Sequence, residues 1–109
     1  MVGGRGSRIV LVTCGSMHEA RKIAEQVVKK RLAACANVVS SPVQSIYWWK
    51  GKVEQAREVL VVLKTNTRHL PELEREVLRL HSYDVPEFVV MRIDAGSKKY
   101  LAWLSEGVK

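Results

Sequence analysis

Ser45-Ile46-Tyr47-Trp48-Trp49-Lys50-Gly51-Lys52-Val53-Glu54 sets three adjacent aromatics directly before a Lys-Gly pair, in a chain that is only 6% aromatic. A run of aromatics and a β-branched residue ending on such a pair is how a strand meets a tight turn. Beyond the turn, Val59-Leu60-Val61-Val62-Leu63 is apolar at every position, so the segment reads as a hairpin returning over Glu58 to Thr65. Side chains alternate across a strand, which turns Tyr47 and Trp49 to one face and Ile46 and Trp48 to the other. Both faces therefore call for cover.

Upstream, Arg8-Ile9-Val10-Leu11-Val12-Thr13-Cys14 is a second continuously apolar strand, of the kind buried on both faces. Gly15 breaks it, and Ser16-Met17-His18-Glu19 has the spacing of a capping box. The helix that follows carries Ala20, Ile23, Ala24, Val27 and Val28 on one face and is expected to end near Leu32-Ala33-Ala34. From Cys35 to Trp49 the chain reads as extended, with a bend at Ser40-Ser41-Pro42. Downstream, Asn66 or Thr67 can cap a second helix whose first turn suits Pro71 and whose stripe is Leu70, Leu73, Val77, Leu78 and Leu80. A loop, His81-Ser82-Tyr83-Asp84, leads to a last strand over 85–93, and Gly96-Ser97 start a short helix to about Glu106.

The resulting order, β-α-β-β-α-β with an added C-terminal helix, is an α+β, ferredoxin-like arrangement with the first and third strands in the middle of an antiparallel sheet. Both main helices must then lie on one face, leaving the other apolar and open. Burial at about 25 cal/mol per Å² favours covering that face with further copies of the chain. An oligomer meeting sheet to sheet is expected.

One domain over 8–109 accommodates 109 residues, with Met1 to Ser7 expected to be a disordered, Gly-rich tail. No apolar run approaches the roughly 20 residues of a membrane span, and the N-terminus lacks a secretory pattern, so a cytoplasmic protein without membrane association is expected. The net charge of +7 comes from residues spread over helix faces and strand ends, such as Arg21, Lys22, Lys29, Arg75 and Lys98. That distribution reads as solvation rather than a nucleic-acid surface. The third strand also lacks the base-stacking aromatics of an RNA-recognition domain. Cys14-Gly15-Ser16-Met17-His18, with one glycine and no arginine, is a poor phosphate cradle for an acylphosphatase-like enzyme. No nucleophile stands beside a base and an orienting group, so no enzymatic activity is expected.

Leu32-Ala33-Ala34-Cys35-Ala36-Asn37, the aromatic hairpin segment, Val62-Leu63-Lys64-Thr65, His81-Ser82-Tyr83-Asp84-Val85-Pro86-Glu87 and Tyr100-Leu101-Ala102-Trp103-Leu104 together resemble the CutA family of divalent-cation tolerance proteins, in the right order over about residues 8 to 106. The resemblance implies a ferredoxin-like subunit in a tight homotrimer similar in architecture to the PII signalling proteins. It also implies a role in tolerance of divalent metal ions and a site for Cu(II) or another divalent cation, with no organic cofactor and no known reaction. The family's proposed copper-type site matches His81 and Glu87 here. Its cysteine in the first strand aligns with Val12, and Cys14, two residues on, is the candidate replacement.

Each candidate also has a structural reading. His81 can simply cap the second helix. Glu87 shares strand parity with Val89 and Met91, and its carboxylate would need a partner on a buried face, for which Lys64 is the natural choice. A Lys64–Glu87 pair near Cys35, Tyr47 or Trp48 would either bind a small polar ligand between subunits or serve as an interfacial ion pair. Cys35, among alanines, reads as a buried inert thiol, and Cys14 with His18 as a loose thiol–imidazole pair. Tyr100 and Trp103 are expected to pack the last helix against a neighbour, with their donors available to a ligand.

Overall fold

Two neighbouring positive-φ residues, Lys50 at φ 50° and Gly51 at φ 84°, turn the chain between Trp49 and Lys52, which face each other as the last pair of the hairpin. That is the tight two-residue turn whose twist matches the flanking strands. The computed structural model describes all 109 residues. In chain order the elements are β1 (Val2–Gly3), β2 (Ser7–Cys14), α1 (Met17–Lys29), β3 (Cys35–Val38), β4 (Val43–Trp49), β5 (Lys52–Asn66), a 3-10 turn (Thr67–His69), α2 (Leu70–Leu80), β6 (Val89–Arg92), β7 (Ala95–Gly96) and α3 (Lys98–Gly107).

The main sheet runs β3-β5-β2-β6, all antiparallel, so the two continuously apolar strands are its central pair. Val10 lies opposite Leu63 and Val12 opposite Val61. These residues, with Cys14 and Val59, meet Ile23 and Val27 of α1 and Leu73 and Val77 of α2 in one core cluster. The alternate residues Ile9, Leu11, Leu60 and Val62, turned from that cluster, are only partly buried. α3 lies across β2 and β5, with Leu101 and Leu104 buried. No helix is long and apolar enough to cross a membrane.

Several boundaries differ from expectation. β5 begins at Lys52 rather than Glu58, because its first half pairs with β4 from Val43↔Glu58 to Trp49↔Lys52 and its second half pairs with β3. Residues 52–57 are mostly exposed, so hydropathy carries no trace of them. The β4–β5 ribbon gives the molecule its long axis, 44 Å against 25 Å in the other two directions. α1 stops at Lys29, since Arg31 takes a left-handed conformation (φ 60°) and sends Leu32 and Ala33 into the core. The last strand starts at Val89, leaving Val85 to Phe88 outside it.

The N-terminal residues expected to be disordered are structured. Val2 and Gly3 pair with Gly96 and Ala95, and the Gly4 amide donates to the Asp94 carbonyl at 2.9 Å. A Cβ on Gly4 would lie 1.6 Å from the Ile93 carbonyl oxygen, so glycine here serves close backbone approach rather than flexibility.

The two helices are tied by Glu76 of α2. Its carboxylate accepts from Lys30 at 2.7 Å and from Nε and Nη2 of Arg79, each at 2.9 Å. Arg79 first, and Lys30 with it, pull the carboxyl from 4.5 down to about 2. A group whose pKa is depressed by folding stabilises above its unfolded value, and that contribution is lost as pH falls through the folded one. Denaturant midpoints between pH 7 and 2 should therefore fall more steeply below pH 4.5 in the native protein than in Glu76→Gln. The difference is expected to be only about 1 kcal/mol, because Lys30 and Arg79 are 48% and 60% exposed.

Candidate metal centre and the adjoining cleft

Cys14 ends β2, Glu19 sits in the first turn of α1, and His81 directly follows α2. The Cys14 thiol, one Glu19 carboxylate oxygen and one imidazole nitrogen of His81 all lie within 4.8 Å of one another. Each is placed by a separate local cause. The Ser16 hydroxyl accepts the Glu19 amide at 3.2 Å, half of the expected capping box. The Glu19 side chain, instead of reaching back to Ser16, spans 63 residues to accept the Ser82 amide and, at 3.0 Å, its hydroxyl. The His81 amide donates to Val77 at the end of α2, and the ring turns inward.

Only 8% exposed, His81 has both ring nitrogens engaged. Nε2 is 2.8 Å from the Thr13 carbonyl, which can only accept, so Nε2 carries the proton. Nδ1 accepts the Tyr83 amide at 3.1 Å. The Cys14 thiol is fully buried, and that burial, followed by the charges of Glu19 and Glu58, pushes it up to about 12. It is a neutral thiol near pH 7 and becomes a ligand only when a cation replaces its proton.

Glu87, expected with His81 and Cys14, is not in this cluster. It lines a neighbouring cleft of about 580 Å³ with Thr13, Tyr47, Trp49, Glu58, Tyr83 and Asp84. Burial, and then the charge of Glu58, raise its carboxyl above the usual range. Glu58 is 7% exposed and accepts the Tyr83 hydroxyl at 2.9 Å, and Tyr83 is itself held protonated, by burial first and then by that bond.

Within one chain Lys64 and Glu87 do not pair. Lys64 lies opposite Ile9 and Cys35, six residues along β5 from Glu58, roughly 20 Å at strand spacing. Its ammonium donates to Asn37 instead. Cys35 is partly exposed rather than buried, with its sulfur 3.8 Å from Asn37 Oδ1. Trp48, 73% exposed, stands on the hairpin face away from the cleft, while Tyr47 is in it. Tyr100 and Trp103 stack on each other at 5.5 Å on the exposed side of α3 and belong to neither site. His18 is exposed and takes no part in the Cys14 cluster.

Glu19, Glu58 and Tyr83 are residues that sequence reasoning missed. Glu19 was absorbed by its capping role, and Glu58 stood at the edge of an apolar run. A charged residue abutting a buried strand was the one available signal for Glu58.

Measured against known proteins, the model for the CutA1 divalent ion tolerance protein family matches residues 8–107. The chain belongs to the CutA1 family. It is 45% identical over 98 residues to the divalent-cation tolerance protein CutA of Thermus thermophilus, covering 90% of this chain and 94% of that one. With the Archaeoglobus fulgidus CutA it shares 37% over 100 residues, 92% and 96% of the two chains. The solved Thermus thermophilus structure superposes with a TM-score of 0.91, at 43% identity over 94% of this chain and 99% of that one. The Archaeoglobus fulgidus structure, described as a periplasmic divalent cation tolerance protein, gives 0.90 at 36% identity. The CutA1 fold, mixed α+β with three helices, is thus the frame in which the Cys14–Glu19–His81 cluster sits.

Proposed function

We propose that this CutA1-family chain is a non-enzymatic binder of divalent cations that holds the ion at Cys14, Glu19 and His81. The observation that carries the reading is the convergence of thiol, carboxylate and imidazole within 4.8 Å, drawn from three separate elements. One sulfur, one nitrogen and one oxygen donor suit borderline ions such as Zn(II) or Cu(II) better than hard ones. The ion would supply the charge that displaces the Cys14 proton. His81 would coordinate through Nδ1 by releasing the Tyr83 amide, while Nε2 stays oriented by Thr13, the usual second bond of a metal-bound histidine.

The proposed working form is a ferredoxin-like subunit in a homotrimer. Exposed apolar residues on β4 and β6 support this, with Ile46 at 64%, Trp48 at 73% and Val89, Val90 and Met91 each above 40%. Two unpaired cysteines suit a reducing compartment, and a cytoplasmic location is part of the proposal.

Titration calorimetry with Zn(II), and with Cu(II) as a second ion, tests the site. One ion per chain is expected, with affinity falling at least about tenfold in Cys14→Ser and in His81→Ala. Glu87→Ala, outside the cluster, should leave it unchanged. Stoichiometric binding that survives both Cys14→Ser and His81→Ala, or no binding at all, overturns the assignment.

A further inference from the structure

Every buried side-chain nitrogen and oxygen in the chain has a hydrogen-bond partner, so an ion entering the Cys14–Glu19–His81 cluster must displace bonds already made. Those bonds converge on one short segment. Both Glu19 oxygens are taken by Ser82, one by its amide and the other by its hydroxyl at 3.0 Å, and Nδ1 of His81 accepts the Tyr83 amide at 3.1 Å. The two acceptors differ in what they can share. Each carboxylate oxygen has a second lone pair and can hold a cation while keeping Ser82, whereas Nδ1 has a single lone pair in the ring plane. With the proton held on Nε2 by Thr13, coordination by His81 leaves the Tyr83 amide without its acceptor.

Tyr83 carries the consequence outward. Its ring lies against the His81 imidazole, with centroids 4.7 Å apart and planes at 57°, and its hydroxyl donates to Glu58 Oε2 at 2.9 Å. Between amide and hydroxyl the residue spans from the cluster to β5, where Glu58 lies opposite Val43 at the base of the β4–β5 ribbon. Glu58 has the parity of Leu60 and Val62, on the sheet face that the proposed homotrimer covers. One side chain thus joins the candidate metal centre to the face of subunit contact.

On the reading of Cys14, Glu19 and His81 as the metal ligands, on which this step rests, we propose that Tyr83 is a metal-responsive switch. Ligation of a divalent cation by His81 through Nδ1 displaces the Tyr83 amide, and the displaced residue gives up its bond to Glu58. The metal-free and metal-bound forms then differ at Tyr83, and the bonds it makes in the first oppose the second. By linkage, whatever holds Tyr83 on Glu58 weakens metal binding, and whatever frees it strengthens that binding.

Amide hydrogen exchange of the whole protein, followed residue by residue by NMR with and without saturating Zn(II), tests the switch together with zinc titration calorimetry. A ligand ordinarily slows exchange around its site, because it binds the native form alone. Here the Tyr83 amide should instead exchange about tenfold faster in the zinc form, the loss of one hydrogen bond. Tyr83→Phe, which lacks the hydroxyl bonded to Glu58, should bind zinc about 3–10-fold more tightly than wild type. A residue that merely propped up the cluster would give the opposite sign. Zinc binding that depends on Cys14 and His81 but leaves the Tyr83 amide unchanged or more protected overturns the switch alone, as does a Tyr83→Phe variant that binds no tighter. Zinc binding that ignores Cys14 and His81, or no binding at all, overturns the metal site and the switch with it.

Discussion

Truncation of Leu63 to alanine is expected to cost about 3–4 kcal/mol, the loss of a fully buried core leucine. Leu63 is fully buried on the central strand β5, opposite Val10 and Ala36, with β2 on one side and β3 on the other. Two ladders hold its backbone, so the surrounding structure has little freedom to collapse into the space left behind. The cost is then the lost transfer energy plus an unrelieved cavity. In thermal unfolding at fixed protein concentration the midpoint should drop by about 15 °C or more. Leu78→Ala, on the 45% exposed side of α2, should stay within about 1 kcal/mol of wild type. Equal losses at the two positions would mean that the β2–β5 pair is not the centre of the core.

Charge placed on the open face of β6 should dissociate the proposed assembly. Val89 and Met91 lie opposite Leu11 and Ile9, on the sheet face turned from the α1–α2 core, and are 47% and 45% exposed in the single chain. They continue the partly buried apolar row of Ile9, Leu11, Leu60 and Val62. Solvent-facing glutamates there cost the isolated subunit little, whereas in a sheet-to-sheet contact each would be an unpaired buried charge worth several kcal/mol. Light scattering of Val89→Glu/Met91→Glu should give the 12.3 kDa monomer, with wild type near three times that mass. A wild-type mass of one chain, or a double variant that keeps the full mass, would remove this face from any interface.

The readability of the chain differed by kind of residue. β2 and the second half of β5 are apolar at every position, and such runs suit only central strands, so their adjacency was available before any coordinates. The caps were legible in part. Ser16 Oγ takes the Glu19 amide as its spacing implies, and Asn66 Oδ1 takes the His69 amide, but Asn66 opens the 3-10 turn while α2 itself starts without a side-chain cap. Lys52 to Arg57 was the opposite case, a strand half whose side chains are mostly in solvent and leave no periodic signature. Glycines near the N-terminus pointed to disorder, although Gly4 is small because another backbone passes against it.

For the candidate site, residue type was informative and pairing was not. Cys14 and His81 were recognisable as donors, and the structure brings them together, but the third member is Glu19 rather than Glu87. Lys64 and Glu87 are complementary charges in the sequence, and register separates them within one chain. The two continuously apolar strands, the turn at Lys50-Gly51 and the α+β order were determined by the sequence alone, since each rests on a pattern a few residues long. Which carboxylate faces the thiol and which faces the aromatic cleft was decided only by tertiary structure. Such contacts, 63 residues from Glu19 to Ser82 and 25 from Glu58 to Tyr83, are set by how strands align and helices dock, and no local pattern encodes that alignment.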